Sequence, residues 1–182
     1  MFPQLLKGRL ALVDTRWLSK EELATWVRLV AVLELLPNVL DSQLRRDADL
    51  TNFDYYVLAM LSESPDHTLR MTTLAAQTNA SLARLSHVVR RLEERGLVER
   101  TPNPEDRRAT NARLTTAGMD TVVEAAPGHV ANVRQHVIDA LTPDQVRELG
   151  DIADALLSRL DPSGRMSAMY RRHDAGARGA EQ

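Results

Sequence analysis

Arg84, His87, Arg90 and Arg91 fall within eight residues of one another, and Asp106, Arg107 and Arg108 form a second charged cluster fifteen residues further on. A guanidinium presents a planar fork of donors that fits a phosphate or the edge of a guanine, and an imidazole donates or accepts as its tautomer dictates. Ser81, Ala83 and Ser86 are interleaved with the first cluster, and their short side chains leave room for a close partner surface. Such residues suit recognition of an acidic polymer rather than bond making. Local charge agrees: residues 70–113 hold nine arginines against five acids, so the segment is +4, the rest of the chain −6 and the whole −2. It is the local field, not the total charge, that attracts phosphates.

Other chemistries are poorly served. Catalysis needs a nucleophile beside its base, paired carboxylates, a glycine loop for phosphates or a metal cluster. The serines, histidines and acids form no such constellation and the eight glycines no phosphate loop, so an enzyme is not expected. His129 and His136 stand seven residues apart and could share a helix face. Two histidines with neither cysteine nor an arranged carboxylate are a weak zinc signature, and they are expected as surface or interface residues, with no metal and no cofactor. The absence of cysteine excludes disulfides, thiolate zinc sites and thiol redox sensing. The opening Met1-Phe-Pro-Gln-Leu-Leu-Lys-Gly-Arg9 lacks the run of a secretory signal, and no stretch is read as approaching the ~20 apolar residues that span a bilayer. The expectation is a soluble, cytoplasmic protein with no membrane partner.

The elements that hold the two clusters follow from caps and periodicity. Ser81 caps a helix whose buried stripe is read as Leu82, Leu85, Val89 and Leu92, with Ala83, Arg84, His87, Arg90 and Arg91 off it, and Gly96 stops it. Before it, Thr72 or Thr73 starts a short helix, and Thr78-Asn79-Ala80 is the turn between the two. Two short strands follow, Leu97–Arg100 and the run closing at Leu114, around the turn-rich Pro102–Asp106; Leu69–Met71 can supply a third. Helix, turn, helix and a hairpin with a basic tip make a winged helix-turn-helix. Its second helix fits the major groove and its wing reaches a phosphate strand or the minor groove. Residues 51–115 are placed in this unit.

Long helices flank it. Ser19 and Glu22 form a capping box ahead of an apolar stripe from Leu23 to Leu44, which Pro37 should kink. Thr51 caps the next helix, Thr115 or Thr116 opens another that Pro127-Gly128 should bend, and Thr142-Pro143-Asp-Gln145 starts the last, ended by Asp161-Pro162. The helices over 19–47 and 143–160 carry more apolar surface than so small a unit can cover. Residues 19–50 and 116–162 are therefore read as a dimerisation region, 1–18 as an N-terminal arm and 163–182 as a flexible tail. The fold class is mainly α, with about six helices and a two- or three-stranded wing sheet. A homodimer also matches the two-fold symmetry of palindromic duplex sites.

Three segments, Arg91-Leu-Glu-Glu-Arg-Gly-Leu-Val-Glu-Arg100, Pro104-Glu-Asp-Arg-Arg108 and Leu114-Thr-Thr-Ala-Gly118, resemble the recognition-helix end, wing and helix restart of the MarR family of bacterial transcription regulators. The helix order around them extends the resemblance over residues 19–160. It implies homodimers held by the first and last helices, and an Asp106 that orients Arg108 for the minor groove. It also implies repression from a palindromic operator and release by a small aromatic or phenolic effector. Activation, or regulation without an effector, is the alternative, with a small enzyme or a dimeric interaction module that binds no DNA behind it. Trp17, Trp26, Tyr55 and Tyr56 are the aromatics that could line an effector pocket, although helical aromatics are as a rule core residues. The peroxide-sensing branch uses a cysteine, absent here. The urate-responsive branch pairs a tryptophan, matched by Trp17, with an aspartate where this chain has Tyr56. Double-stranded DNA is expected to meet Ser81, Ala83, Arg84, Ser86, His87, Arg90 and Arg91 on the helix, and Asp106, Arg107 and Arg108 on the wing. Arg91 is divided between a phosphate and a salt bridge to Glu93 or Glu94, while Arg95 and Arg100 are expected to make packing or surface pairs.

Overall fold

The computed structural model describes residues 15–172. Contacts divide the chain into two units, one ending at Leu36 and the other beginning at Pro37; helix α1 (Lys20–Ala48) contributes to both. The arm before Thr15 and the tail beyond Arg172 lie outside the described residues.

In the first unit the predicted capping box is present: Ser19 Oγ accepts from the Glu22 amide at 3.1 Å, and the Glu22 carboxylate accepts from the Ser19 amide at 2.7 Å. Trp26, Val32, Leu33 and Leu35 are each more than half exposed, so this stretch of α1 presents its apolar side chains outward. A window of α1 has a mean hydropathy of 1.6, so by length and composition alone the helix could cross a bilayer, which corrects the reading that no stretch comes near. Arg28 and Glu34 lie along it, and charges at mid-membrane cost about 2.5–3.5 kcal/mol each. A second protein surface would cover the same apolar side chains without that cost.

The second unit begins with α1 running on through Pro37 rather than ending there. It continues with α2 (Asn52–Ser62), β1 (Thr68–Arg70), α3 (Met71–Gln77), α4 (Leu82–Glu94), β2 (Val98–Pro102), β3 (Thr110–Leu114), α5 (Thr116–His136), α6 (Pro143–Leu160) and the short α7 (Ser167–Tyr170). The sheet is antiparallel in the order β1-β3-β2, pairing Val98 with Leu114, Pro102 with Thr110, and Arg70 with Asn111. This is the predicted class, a mainly α winged helix-turn-helix whose wing sheet has three strands. Leu44, Leu50, Leu58, Leu61, Leu74, Leu85 and Leu92 are fully buried together with Val57 and Val89, so the core is aliphatic, as a chain with 4% aromatic residues requires.

Caps fix the ends of these helices. Thr51 Oγ1 accepts from the Asp54 amide at 3.0 Å while Asp54 accepts from the Thr51 amide at 2.9 Å, and Thr142 and Gln145 repeat the reciprocal pair at α6. Thr115 caps α5, accepting from the Gly118 amide at 3.0 Å and donating its hydroxyl to the Gly96 carbonyl at 2.7 Å. A Cβ on Gly118 would stand 2.1 Å from the Leu97 carbonyl oxygen, so glycine is what lets α5 start flush against the root of the wing. Gly96 itself sits at φ +72°, the left-handed stop expected beyond α4.

Pro127 lies inside α5, which continues past it to His136. Two expectations change. Leu82 is 47% exposed and Val88 is buried, so the inner stripe of α4 is Leu85, Val88, Val89 and Leu92. Ser81 as cap puts Leu82 in the first turn, where its face looks outward. The tail is not loose from its start: Asp161 accepts from the amides of Arg165 and Met166, both at 2.9 Å, and from the Tyr170 hydroxyl at 3.2 Å, which folds residues 161–170 into a turn and α7. Those donors, the Met166 amide foremost, hold its carboxyl below the ordinary aspartate range. Tyr56 Oη of α2 stands 2.6 Å from Met169 Sδ, and Arg172 pairs with Glu63, tying this segment to the helix-turn-helix.

Candidate nucleic-acid interface

The turn before α4 puts Asn79 at φ +49°, and Ser81 Oγ accepts from the Arg84 amide at 3.2 Å. With Leu85, Val88, Val89 and Leu92 inward, Ala83, His87 and Arg90 face solvent, and Ser86 is partly exposed on the same side. Arg90 reaches His87 Nδ1 at 3.1 Å and Glu94 at 4.0 Å, spacings that leave it on the open face.

Arg84 and Arg91 stand on a flank of the helix and turn toward α2. The Arg84 guanidinium lies over the Phe53 ring, 4.2 Å from its centroid. Arg91 pairs with Asp54, a residue only 2% exposed, rather than with Glu93 or Glu94. The Asn52 amide donates to Asp41 of α1 at 2.9 Å. Arg45 first, then this amide, holds the Asp41 carboxyl below its ordinary range. Three consecutive residues at the start of α2 are thus gripped by α1 and by the recognition helix. The sequence reading missed Phe53 and this second duty of Asp54; an acid already used as the third residue of a capping box gives no sign of a further partner.

The wing tip is ordered by one asparagine. Asn103 Oδ1 accepts from the amides of Glu105 (2.9 Å) and Asp106 (3.1 Å), its Nδ2 donates to Asn111 at 3.0 Å, and its amide donates to the Ala109 carbonyl at 2.9 Å. Asp106 does act on Arg108, but through the backbone: its Oδ1 accepts from the Arg108 amide at 3.1 Å. Its other oxygen takes Arg70 Nη2 at 2.9 Å, a strand residue absent from the sequence-based set. Arg107 and Arg108 project exposed from this turn.

Ion pairing sorts the nine arginines of residues 70–113. Arg70, Arg90, Arg91, Arg95, Arg100 and Arg113 each have an acidic partner, in Asp106, Glu94, Asp54, Asp49, Glu93 and Glu99. The hydrogen bond from Arg100 keeps the Glu93 carboxyl below its usual range. The surface pairs expected of Arg95 and Arg100 are therefore present. Among the described residues Arg84, Arg107 and Arg108 have no acidic partner.

The four aromatics divide between the two units. Trp17 and Trp26 are each about half exposed in the first unit. In the second, Tyr55 packs on His129 with ring centroids 4.6 Å apart, and the Tyr56 hydroxyl donates to the Gln77 carbonyl at 2.9 Å. Burial raises the pKa of both tyrosines and lowers that of His129, whose buried Nδ1 has no hydrogen-bond partner. His136 is exposed, with Nδ1 3.0 Å from the Asn132 carbonyl, so the two histidines do not converge. No cluster able to hold a metal ion occurs among the described residues.

Residues 50–110 match the MarR family model. The structure of Sco3205, a MarR family transcriptional regulator from Streptomyces coelicolor in complex with DNA, superposes with a TM-score of 0.79 at 43% identity over 84% of this chain and 95% of that one. AbsC, another regulator of that family from Streptomyces coelicolor, gives 0.76 at 40% identity over 80% and 98%. The transcriptional repressor YetL of Bacillus subtilis is 29% identical over 110 residues, 59% of this chain; the alignment spans 66% of that protein's length.

Proposed function

Because this chain belongs to the MarR family of transcriptional regulators, we propose that it is a repressor that binds a palindromic operator as a homodimer and leaves it when a small aromatic or phenolic molecule binds. The distribution of unpaired charge carries the DNA reading: Arg84 stands at the head of the recognition helix, and Arg107 and Arg108 at the tip of the wing. These are the two elements of a winged helix that meet a duplex. The Sco3205 complex, and relatives named repressors such as YetL, support it. Action on chromosomal DNA puts the protein in the cytoplasm.

The dimer is supported by uncovered apolar surface. Leu149, Ile152, Leu156 and Leu160 recur along α6 and are 44–76% exposed, and α1 shows a similar face. A two-fold partner covers both and presents two recognition helices to successive half-sites. Replacing Leu156 and Leu160 by glutamate should give monomer or aggregate in sedimentation, with operator binding lost. A well-folded monomer of the unmodified protein at micromolar concentration would rule the dimer out. Support for an effector is narrower: the Tyr55–His129 contact holds an unmet nitrogen that a phenolic hydroxyl would satisfy.

The direct experiment is a gel shift of the purified protein on the DNA upstream of its own gene. A specific, salt-sensitive band is expected, and a panel of phenolic acids should dissolve it. Binding equal to that on random DNA would refute the regulator reading.

A further inference from the structure

Between the recognition helix and the wing lies a cavity of about 200 Å³ lined by Arg70, Thr72, Leu82, Ser86, Arg100 and Arg108. Three arginines therefore line one depression. Asp106 balances Arg70 and Glu93 balances Arg100, at 2.9 and 2.6 Å, while Arg108 has no acidic partner among the described residues. The depression is left with one net positive charge, the complement of a single phosphodiester. Hydroxyls of Thr72 and Ser86 on its lining add neutral donors. The salt bridges also hold two of the guanidiniums in place, so a ligand does not bear the entropy of ordering them.

We propose that this cavity seats one backbone phosphate of the bound duplex, with Arg70 as its fixed donor and Arg108 adding its charge from the rim as the wing enters the adjoining groove. The inference rests on the DNA-binding reading above and adds to it a residue, Arg70, and a register. A strand clamped between helix and wing cannot slide relative to either, so the seat fixes where the wing enters the adjoining groove.

The test uses the full-length protein and a duplex that it has itself selected from a random-sequence pool. Each phosphate is replaced in turn by a neutral methylphosphonate, and affinity is measured for the unmodified protein, Arg70→Ala and Arg70→Lys. At one linkage per half-site, neutralisation should weaken the unmodified protein roughly tenfold, the scale of a charged hydrogen bond. It should have little effect on Arg70→Ala and an intermediate effect on Arg70→Lys. Arg70→Ala should also lower the salt slope by about one unit.

If Arg70→Ala weakens binding but keeps full sensitivity at every linkage, Arg70 only braces the wing and the proposal fails. Competition by inorganic phosphate at constant ionic strength, abolished by Arg70→Ala, with no linkage coupled to Arg70, would make the cavity a free-anion site and also overturn it. Should Arg70→Ala not fold, Arg70→Lys and Thr72→Ala give the same coupling measurement. Failure of the unmodified protein to select any duplex would instead refute the DNA-binding reading, a result that cannot be confused with loss of coupling.

Discussion

The guanidinium of Arg91, on the recognition helix, is held by the carboxylate of Asp54, which is itself only 2% exposed in the first turn of α2. A carboxylate so deep needs its partner, because removing one member of such a pair leaves a charge stranded in low dielectric.

Arg91→Ala should therefore destabilise the fold, by about 1–3 kcal/mol once the partial exposure of the arginine is allowed for. Urea unfolding reads this directly, and Asp54→Ala should act in the same direction. A variant of unchanged stability whose salt slope on DNA drops by about one unit would return Arg91 to the phosphate contacts.

Arg84 is displaced toward Phe53 but remains exposed at the head of α4. Arg84→Ala should narrow the affinity gap between operator and random DNA. Phe53→Leu removes the surface on which the guanidinium rests and should narrow it less, by about 0.5–1 kcal/mol, the scale of an exposed cation–π contact. Parallel titrations on both duplexes separate the outcomes; equal losses on both would mean that Arg84 grips without reading.

In the wing, Arg108→Ala should weaken operator binding by about 1–3 kcal/mol. Asp106→Ala should weaken it too, since the Arg108 amide and the Arg70 guanidinium both lose their acceptor. Residues that work as a unit are not additive. The double variant should lose less than the sum of the singles, and full additivity in a binding cycle would show that they act separately.

Burial lowers the pKa of His129 below its ordinary value of 6.5. The unfolded chain then binds the proton more readily than the folded one, so the histidine's contribution to stability is complete above pH 6.5 and is lost as pH falls through the folded value. The depressed carboxylates Asp41, Glu93 and Asp161 respond only further into acid, below their ordinary values of 3.8 to 4.5. Melting temperature should decline as pH falls below about 6.5, before the carboxylates respond, and His129→Phe should flatten that decline. An unaltered profile in the variant would assign the acid sensitivity elsewhere.

Much of this was legible in the chain. Caps at Ser19, Thr51, Ser81, Thr115 and Thr142 and the stop at Gly96 are local signals, with partners at most a few residues away, and each marks its helix end where expected. The misreadings concern rotation and distance. Leu82 satisfies the helical period as well as Val88 does, and only the packing of α4 against α3 and β2 chooses between them. Arg70 with Asp106, and Arg91 with Asp54, are 36 and 37 residues apart, and no periodicity announces a salt bridge across such a separation. Composition points to a loose tail but carries no sign of a buried aspartate able to collect three donors.

The pairing of six arginines with acids bears on competition inside a cell. A chromosome offers some millions of wrong sites, each able to sequester a protein through its phosphates alone. A chain that displayed all nine guanidiniums would be held by any stretch of duplex. On the DNA-binding reading proposed above, keeping most of them occupied at home would lower affinity for the wrong sites and leave Arg84, Arg107 and Arg108 available at the right one. Of the acidic partners, Glu93 and Glu99, which have no structural duty comparable to that of Asp54 or Asp106, would then be determinants of search, and their removal should produce a tighter binder that finds its target more slowly.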